Sequence, residues 1–222
     1  MVHPRCPGRA DLAHAHDVFR EHESRDLVYR AAIALVRLAE AGTVDLTVGE
    51  ALAVLLRTWN SAYYRYHPPG TGHYAEVEAL IETQGAWLES VTHRGIASFT
   101  DLDEQPLRTV FTGFEMALGP VGAAKALHLL APCFMPLWDR AIAAKYTGGL
   151  GRTGTNAGRY LRFMQATREQ SIEAGGDAGA AGRNILKTLD EYNCYMFTKV
   201  DGRAVTNMSP AQTVMILTDQ AR

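Results

Sequence analysis

The residues best equipped for chemistry crowd into one stretch, "LGPVGAAKALHLLAPCFMPLWDRAIAAKY", Leu118 to Tyr146. It begins with Gly119-Pro120-Val121-Gly122 and continues into an apolar helical run through Ala123, Ala124 and Lys125. Two glycines let such a turn adopt backbone angles closed to other residues and leave its amides uncovered. At a helix start those amides, with the helix dipole behind them, suit a phosphate. The turn therefore grips a nucleic-acid backbone without reading bases, or it only packs two helices together. The stretch closes with Pro136-Leu137-Trp138-Asp139 before "RAIAAKY". Asp139 has two compatible readings, the N-cap of the helix it opens and a reactive carboxylate.

Other candidates lie outside this stretch. "TWNSAYYRYH", Thr58 to His67, supplies Trp59, Asn60, Tyr63, Tyr64 and Tyr66, with Arg65 for a phosphate. Trp59, Tyr63 and Tyr66 recur at intervals of four and three, so core packing explains them as well as base stacking does. Asn60 and Tyr64 form an i, i+4 pair on a neighbouring face. His14, His16 and His22 hint at a metal, but i and i+2 diverge on a helix and no acid or thiol completes the set; a solvated face is the expectation. His128, inside "ALHLL", is expected to be packed or hydrogen-bonded in the core. Arg152, Arg159, Arg162 and Arg168 form a local basic strip or are solvent charges.

The elements that must position these residues are helical. Leu27, Ala31, Ala34, Leu35 and Leu38 share one face of a helix ending near Gly42. Thr47 and Glu50 have capping-box spacing and open a helix through Leu52, Leu55, Leu56 and Trp59 towards "HPPG", whose prolines stop it. A third helix is expected from about Tyr74 to Thr92, with His93-Arg94-Gly95 as a cationic end and a glycine stop. A fourth starts after Ser98-Phe99-Thr100, tolerates Pro106 in its first turns and runs to Gly119. "TGGLGRTGTNAG" is a loop before a helix from about Arg159 to Glu173. A last major helix carries Ile185, Leu186, Leu189, Tyr192 and Phe197, and a short one is expected after Ser209-Pro210. With few alternating patterns and no fixed-period repeat, the chain reads as all-α, with about eight to ten helices.

Residues 1–222 are expected to form one domain, its candidate functional region at about 107–146 and its ends, about 1–10 and 203–222, peripheral. Against 22 Lys+Arg stand 24 Asp+Glu, so overall charge does not advertise a nucleic-acid partner and any DNA footprint must be local. The 3 cysteines, Cys6, Cys133 and Cys194, are far apart and suggest neither a disulfide framework nor a metal knuckle. The N-terminal stretch "MVHPRCPGRADLAHAHDVF" has no apolar core of signal-peptide length and no later run approaches the roughly 18 apolar residues of a membrane span, so a cytoplasmic protein without a membrane partner is expected.

Leu118 to Ala126 resembles the hairpin of the helix-hairpin-helix DNA glycosylases, whose usual form is Leu-Pro-Gly-Val-Gly-x-x-Thr-Ala; here Gly119 and Pro120 are transposed. That family continues with an apolar helix, a short loop and a catalytic aspartate in a Pro-Ile-Leu-Asp or Pro-Val-Asp context, the place taken here by Pro136-Leu137-Trp138-Asp139. The likeness covers about 30 of the 222 residues. Its spacing from Gly122 to Asp139 is a few residues short. Where bifunctional members carry their Schiff-base lysine stands Ala124, with Lys125 one step of about 100° further round the helix. The cysteine cluster of the iron–sulfur members is absent.

The resemblance implies a helix-hairpin-helix glycosylase-like bundle that excises a base from DNA as a monofunctional enzyme. Asp139 would stabilise the oxocarbenium-like sugar and orient water. The amides of Gly119, Val121, Gly122, Ala123 and Ala124, with Lys125, would meet a phosphate. Trp59, Asn60, Tyr63, Tyr64 and Trp138 would form the base pocket. No metal or other cofactor is implied, beyond a monovalent cation at the hairpin. The alternatives are a non-catalytic DNA-binding module and a fold turned to a small-molecule or protein ligand.

Overall fold

The structure, a computed structural model, describes residues 4–22, 26–70, 72–197, 199–200 and 203–204. The architecture is all-α. Its elements are α1 (Arg9–His22), α2 (Asp26–Glu40), α3 (Val48–Trp59), α4 (Ser61–Tyr66), α5 (His73–Thr92), α6 (Glu104–Leu130), α7 (Arg140–Thr147), α8 (Ala157–Ala174), α9 (Gly176–Gly179) and α10 (Ile185–Phe197). Two 3-10 turns, Ile96–Ser98 and Asp101–Asp103, lead into α6, and a two-residue antiparallel pairing, Lys199–Val200 with Arg203–Ala204, follows α10. The short helix expected after Ser209-Pro210 lies outside the described residues.

The main core is shared by α2, α3, α5, α6, α7 and α8, with Phe111, Phe114, Phe134, Trp138 and Tyr160 as its large fully buried side chains. A second cluster joins Leu12 and Ala15 of α1 to Ile185, Leu186, Leu189 and Tyr192 of α10. The α1 stripe, completed by Phe19, has the i, i+3, i+4 spacing of a one-faced helix. Thr47 and Glu50 make the reciprocal capping box that their spacing announces. Arg94 is not simply a cationic helix end: it grips Asp103 through two bonds of 2.8 Å and thereby ties the end of α5 to the start of α6.

Two breaks fix the geometry around the candidate site. The helix expected to run on towards "HPPG" is interrupted at Asn60, which separates α3 from α4. Inside α6, Gly119 has φ 70° and ψ 167°, and Pro120 opens the second arm with its ring already at a helical φ. The expected hairpin turn is thus compressed to one residue. A Cβ on Gly119 would meet the Tyr63 ring at 2.9 Å, besides sitting in a backbone region nearly closed to other residues. Gly119→Ala is therefore expected to cost about 2–3 kcal/mol, read as a lower urea midpoint at unchanged slope; an unchanged midpoint would show that the joint tolerates a side chain.

Candidate functional site

The Gly119 joint is built from both sides. The Asn60 amide donates to Leu118 O at 3.0 Å, and the Tyr63 hydroxyl donates to Ala117 O at 3.2 Å, so side chains from the α3–α4 break satisfy carbonyls at the end of the first arm. Asn60 also fills the space above Gly122. Gly119, Gly122, Ala123 and Ala124 are consequently buried, while Pro120 and Val121 are half-buried. From the other side the Trp138 indole donates to Pro120 O at 3.0 Å. That bond couples the joint to the residue before Asp139.

Asp139 stands in extended backbone as the N-cap of α7, and its Oδ1 accepts the Ile142 amide at 2.8 Å. The cap explains why the sequence places an aspartate there. Its side chain also lines a cavity of about 70 Å³ together with Trp59, Lys125, Trp138, Asp190 and Cys194. Phe19, Leu137 and Ile142 complete the lining with apolar surface. Cap and cavity wall are roles of one carboxylate.

Lys125 is turned inward. It is 9 % exposed, its ammonium donates to Trp59 O, and it lies 5.8 Å from the Trp59 ring centroid, so it belongs to the cavity wall rather than to a surface phosphate site. Trp59 stacks on Tyr29 at 5.6 Å and 11°, and its buried indole N–H has no hydrogen-bond partner. A buried donor left unpaired is costly unless a ligand or water meets it.

Behind this wall lies a charged layer. The Lys187 ammonium sits 3.4 Å from both Asp190 and Glu191 and 3.9 Å from Asp26, and 4.2 Å from the Phe19 ring centroid. Burial pushes the Asp190 carboxyl up to about 6; Lys187 opposes the rise, and the negative charges of Asp139 and Glu191 add to it. Next to Trp59, the Tyr29 hydroxyl meets His128 Nε2 at 2.8 Å, and His128 Nδ1 donates to Met135 O at 2.6 Å. Since Nδ1 donates to a carbonyl, neutral His128 accepts from Tyr29 through Nε2. Burial lowers its pKa to about 4, against the opposing Met135 bond, and the Lys187 charge adds to the fall.

These two groups act on stability with opposite signs. His128 stays neutral in the fold while the unfolded chain takes up a proton below about 6.5, so its contribution is lost as pH falls from there to about 4. Asp190 holds a proton in the fold that the unfolded chain releases, so stability is lost as pH rises from the ordinary 3.8 to about 6. Each is worth about 3 kcal/mol at most. Asp190→Asn removes the second effect alone. In urea titrations the variant should match wild type near pH 4 and exceed it by up to about 3 kcal/mol above pH 6; a variant less stable at pH 7 would contradict this account.

The structure brings Trp59, Lys125, Trp138 and Asp139 to one cavity and leaves Asn60, Tyr63 and Tyr64 outside its lining. Asn60 and Tyr63 support the joint, and the buried Tyr64 meets His73 at 3.1 Å. Trp138 is 1 % exposed and packed among Phe111, Tyr160 and Phe163. His16 pairs with Glu191 and His14 approaches the Tyr195 hydroxyl; among the described residues no group of three metal-ligating side chains forms. Asp190, Lys187, Tyr29 and Phe19 were not legible as site residues. A signal was present for α10: Lys187, Glu191 and Asn193 interleave with Leu186 and Leu189, so charges fall where a helix buried all round has no solvent face. Compared with known proteins, the chain matches no family model, no curated protein and no solved structure. Among the described residues no helix is long and apolar enough to cross a membrane.

Proposed function

We propose that the cavity receives a base extruded from DNA and that the chain hydrolyses its N-glycosidic bond without a lyase step. The observation that carries this reading is the meeting of Asp139, Lys125, Trp59 and Trp138 around one cavity beside the glycine joint. Breaking the bond builds positive charge on the sugar, which an ionised carboxylate stabilises while orienting the attacking water. An extruded base needs flat apolar walls and a few polar groups. Trp59 and Trp138 supply walls. At about 70 Å³ the cavity holds about two waters at liquid density, so on this reading its walls part to admit the base.

On this reading the DNA backbone passes over the half-buried Pro120–Val121 edge, because Tyr63 and Asn60 cover Gly119 and Gly122. Arg140, exposed and next to Asp139, serves a neighbouring phosphate. The test is base release from single- and double-stranded oligonucleotides carrying uracil, hypoxanthine, 8-oxoguanine or 7-methylguanine. Release by the wild type is expected for at least one base. Salt-sensitive DNA binding without release would favour a binding module, and neither activity would turn the cavity over to a small-molecule ligand.

A further inference from the structure

We propose that Asp190 is the proton donor to the departing base, working in the same cavity as Asp139. The inference rests on the base-excision reading. Most neutral bases leave poorly as anions, so hydrolysis gains when the leaving group is protonated as the bond breaks. The cavity offers two carboxylates in unlike settings. Asp139 opens α7 and accepts the Ile142 amide, which suits a group that faces developing positive charge. Asp190 projects from α10 with its side chain 16 % exposed and its Oδ2 3.4 Å from Lys187. A carboxyl and a carboxylate placed in unlike surroundings within one site are the usual basis of an acid and carboxylate pair.

The two lysines nearby are engaged elsewhere. Lys125 donates to Trp59 O, and the Lys187 ammonium is held among Asp26, Asp190 and Glu191. The groups facing Asp190 are Lys187 and Glu191 from its own helix, Asp139 at the start of α7 and Tyr29 from α2, while Cys194 and Lys125 share the cavity. Burial, reinforced by Asp139 and Glu191 and opposed by Lys187, leaves the carboxyl protonated up to about pH 6. The step balances. The C1′–N bond breaks and its electron pair goes to the base, which takes the Asp190 proton. Water adds its oxygen to C1′, and the proton it releases restores the carboxyl.

The experiment follows single-turnover base release from about pH 5 to 8 for wild type, Asp190→Asn and Asp190→Glu, on the panel oligonucleotide that the wild type cleaves fastest. Wild type should slow as pH rises through about 6, in keeping with the Asp190 value. Asp190→Asn should be about 10²- to 10⁴-fold slower at the acid end, with that descending limb gone. Asp190→Glu should recover part of the rate and the limb. If 7-methylguanine, already cationic and able to leave without a proton, is cleaved, its loss in Asp190→Asn should be much smaller. Asp190→Asn within about threefold of wild type, or slow with the limb intact, overturns the assignment while leaving base excision standing. No release by the wild type removes the excision reading, and this inference with it.

Discussion

Asp139→Asn is expected to lower base release about 10³-fold while leaving the fold almost untouched. The two effects separate because, under the proposed function, the carboxylate has two jobs. Its Oδ1 accepts the Ile142 amide at 2.8 Å, and an asparagine oxygen accepts that bond equally well, since Asn and Asp rank together as N-caps. Stability should therefore change by less than about 1 kcal/mol from the cap itself. The lost charge is another matter. A full negative charge about 4 Å from a developing sugar cation is worth about 4 kcal/mol at an effective dielectric constant near 20, which is about three orders of magnitude in rate. Asp139→Ala supplies the contrast: it removes cap and charge together, so it should be as slow as the asparagine variant and also less stable by about 1 kcal/mol. Release rates and urea midpoints measured on both variants decide the matter. An asparagine variant within tenfold of wild type would return Asp139 to a capping role only.

How much of this was legible in the sequence depends on how local the cause was. Thr47 with Glu50, Pro120 after a glycine and Asp139 before "RAIAAKY" are signals confined to one turn of chain, and each appears in the structure as its local chemistry requires. The α3–α4 break at Asn60 is not local. Asn60 leaves the helix because its amide is used 58 positions away, on Leu118 O, and a hydrogen bond across that separation has no periodic trace. The same holds for "TGGLGRTGTNAG", whose composition announces a loop but not its anchor. Asn156 folds back on Gly151 and Arg152, and it is held by Glu115, a fully buried carboxylate that accepts both its backbone and side-chain amides. A glutamate in mid-helix ordinarily reads as solvent-facing. The cavity itself belongs to this second class. Phe19, Trp59, Asp139 and Asp190 come from α1, α3, the start of α7 and α10, and only tertiary packing, with α10 set against both α1 and α7, brings them together.

Trp138 is where the local and the distant signals meet, and Trp138→Ala should carry the largest stability loss of any single cavity-wall change, about 3–5 kcal/mol. Its indole is 1 % exposed, edge-on to Phe111 and Tyr160 at 5.9 and 5.1 Å and stacked on Phe163 at 5.7 Å. An alanine there opens a void among aromatic rings that are themselves buried and cannot all close in. Trp138→Phe is the more informative companion. It keeps most of the apolar contact but removes the N–H that reaches Pro120 O at 3.0 Å, so the stability cost should drop to about 1–2 kcal/mol. Base release should nonetheless suffer more than stability does. The lost bond is the link that sets the loop carrying Asp139 against the glycine joint, and a misplacement on the order of 1 Å can cost about 100-fold in rate. Denaturation midpoints for both variants, with release rates for the phenylalanine variant well below its unfolding range, test the two claims separately. A phenylalanine variant with full activity would show that the joint and Asp139 hold their relative position without the indole bond, and that the coupling between the two halves of the Leu118–Tyr146 stretch runs through packing alone.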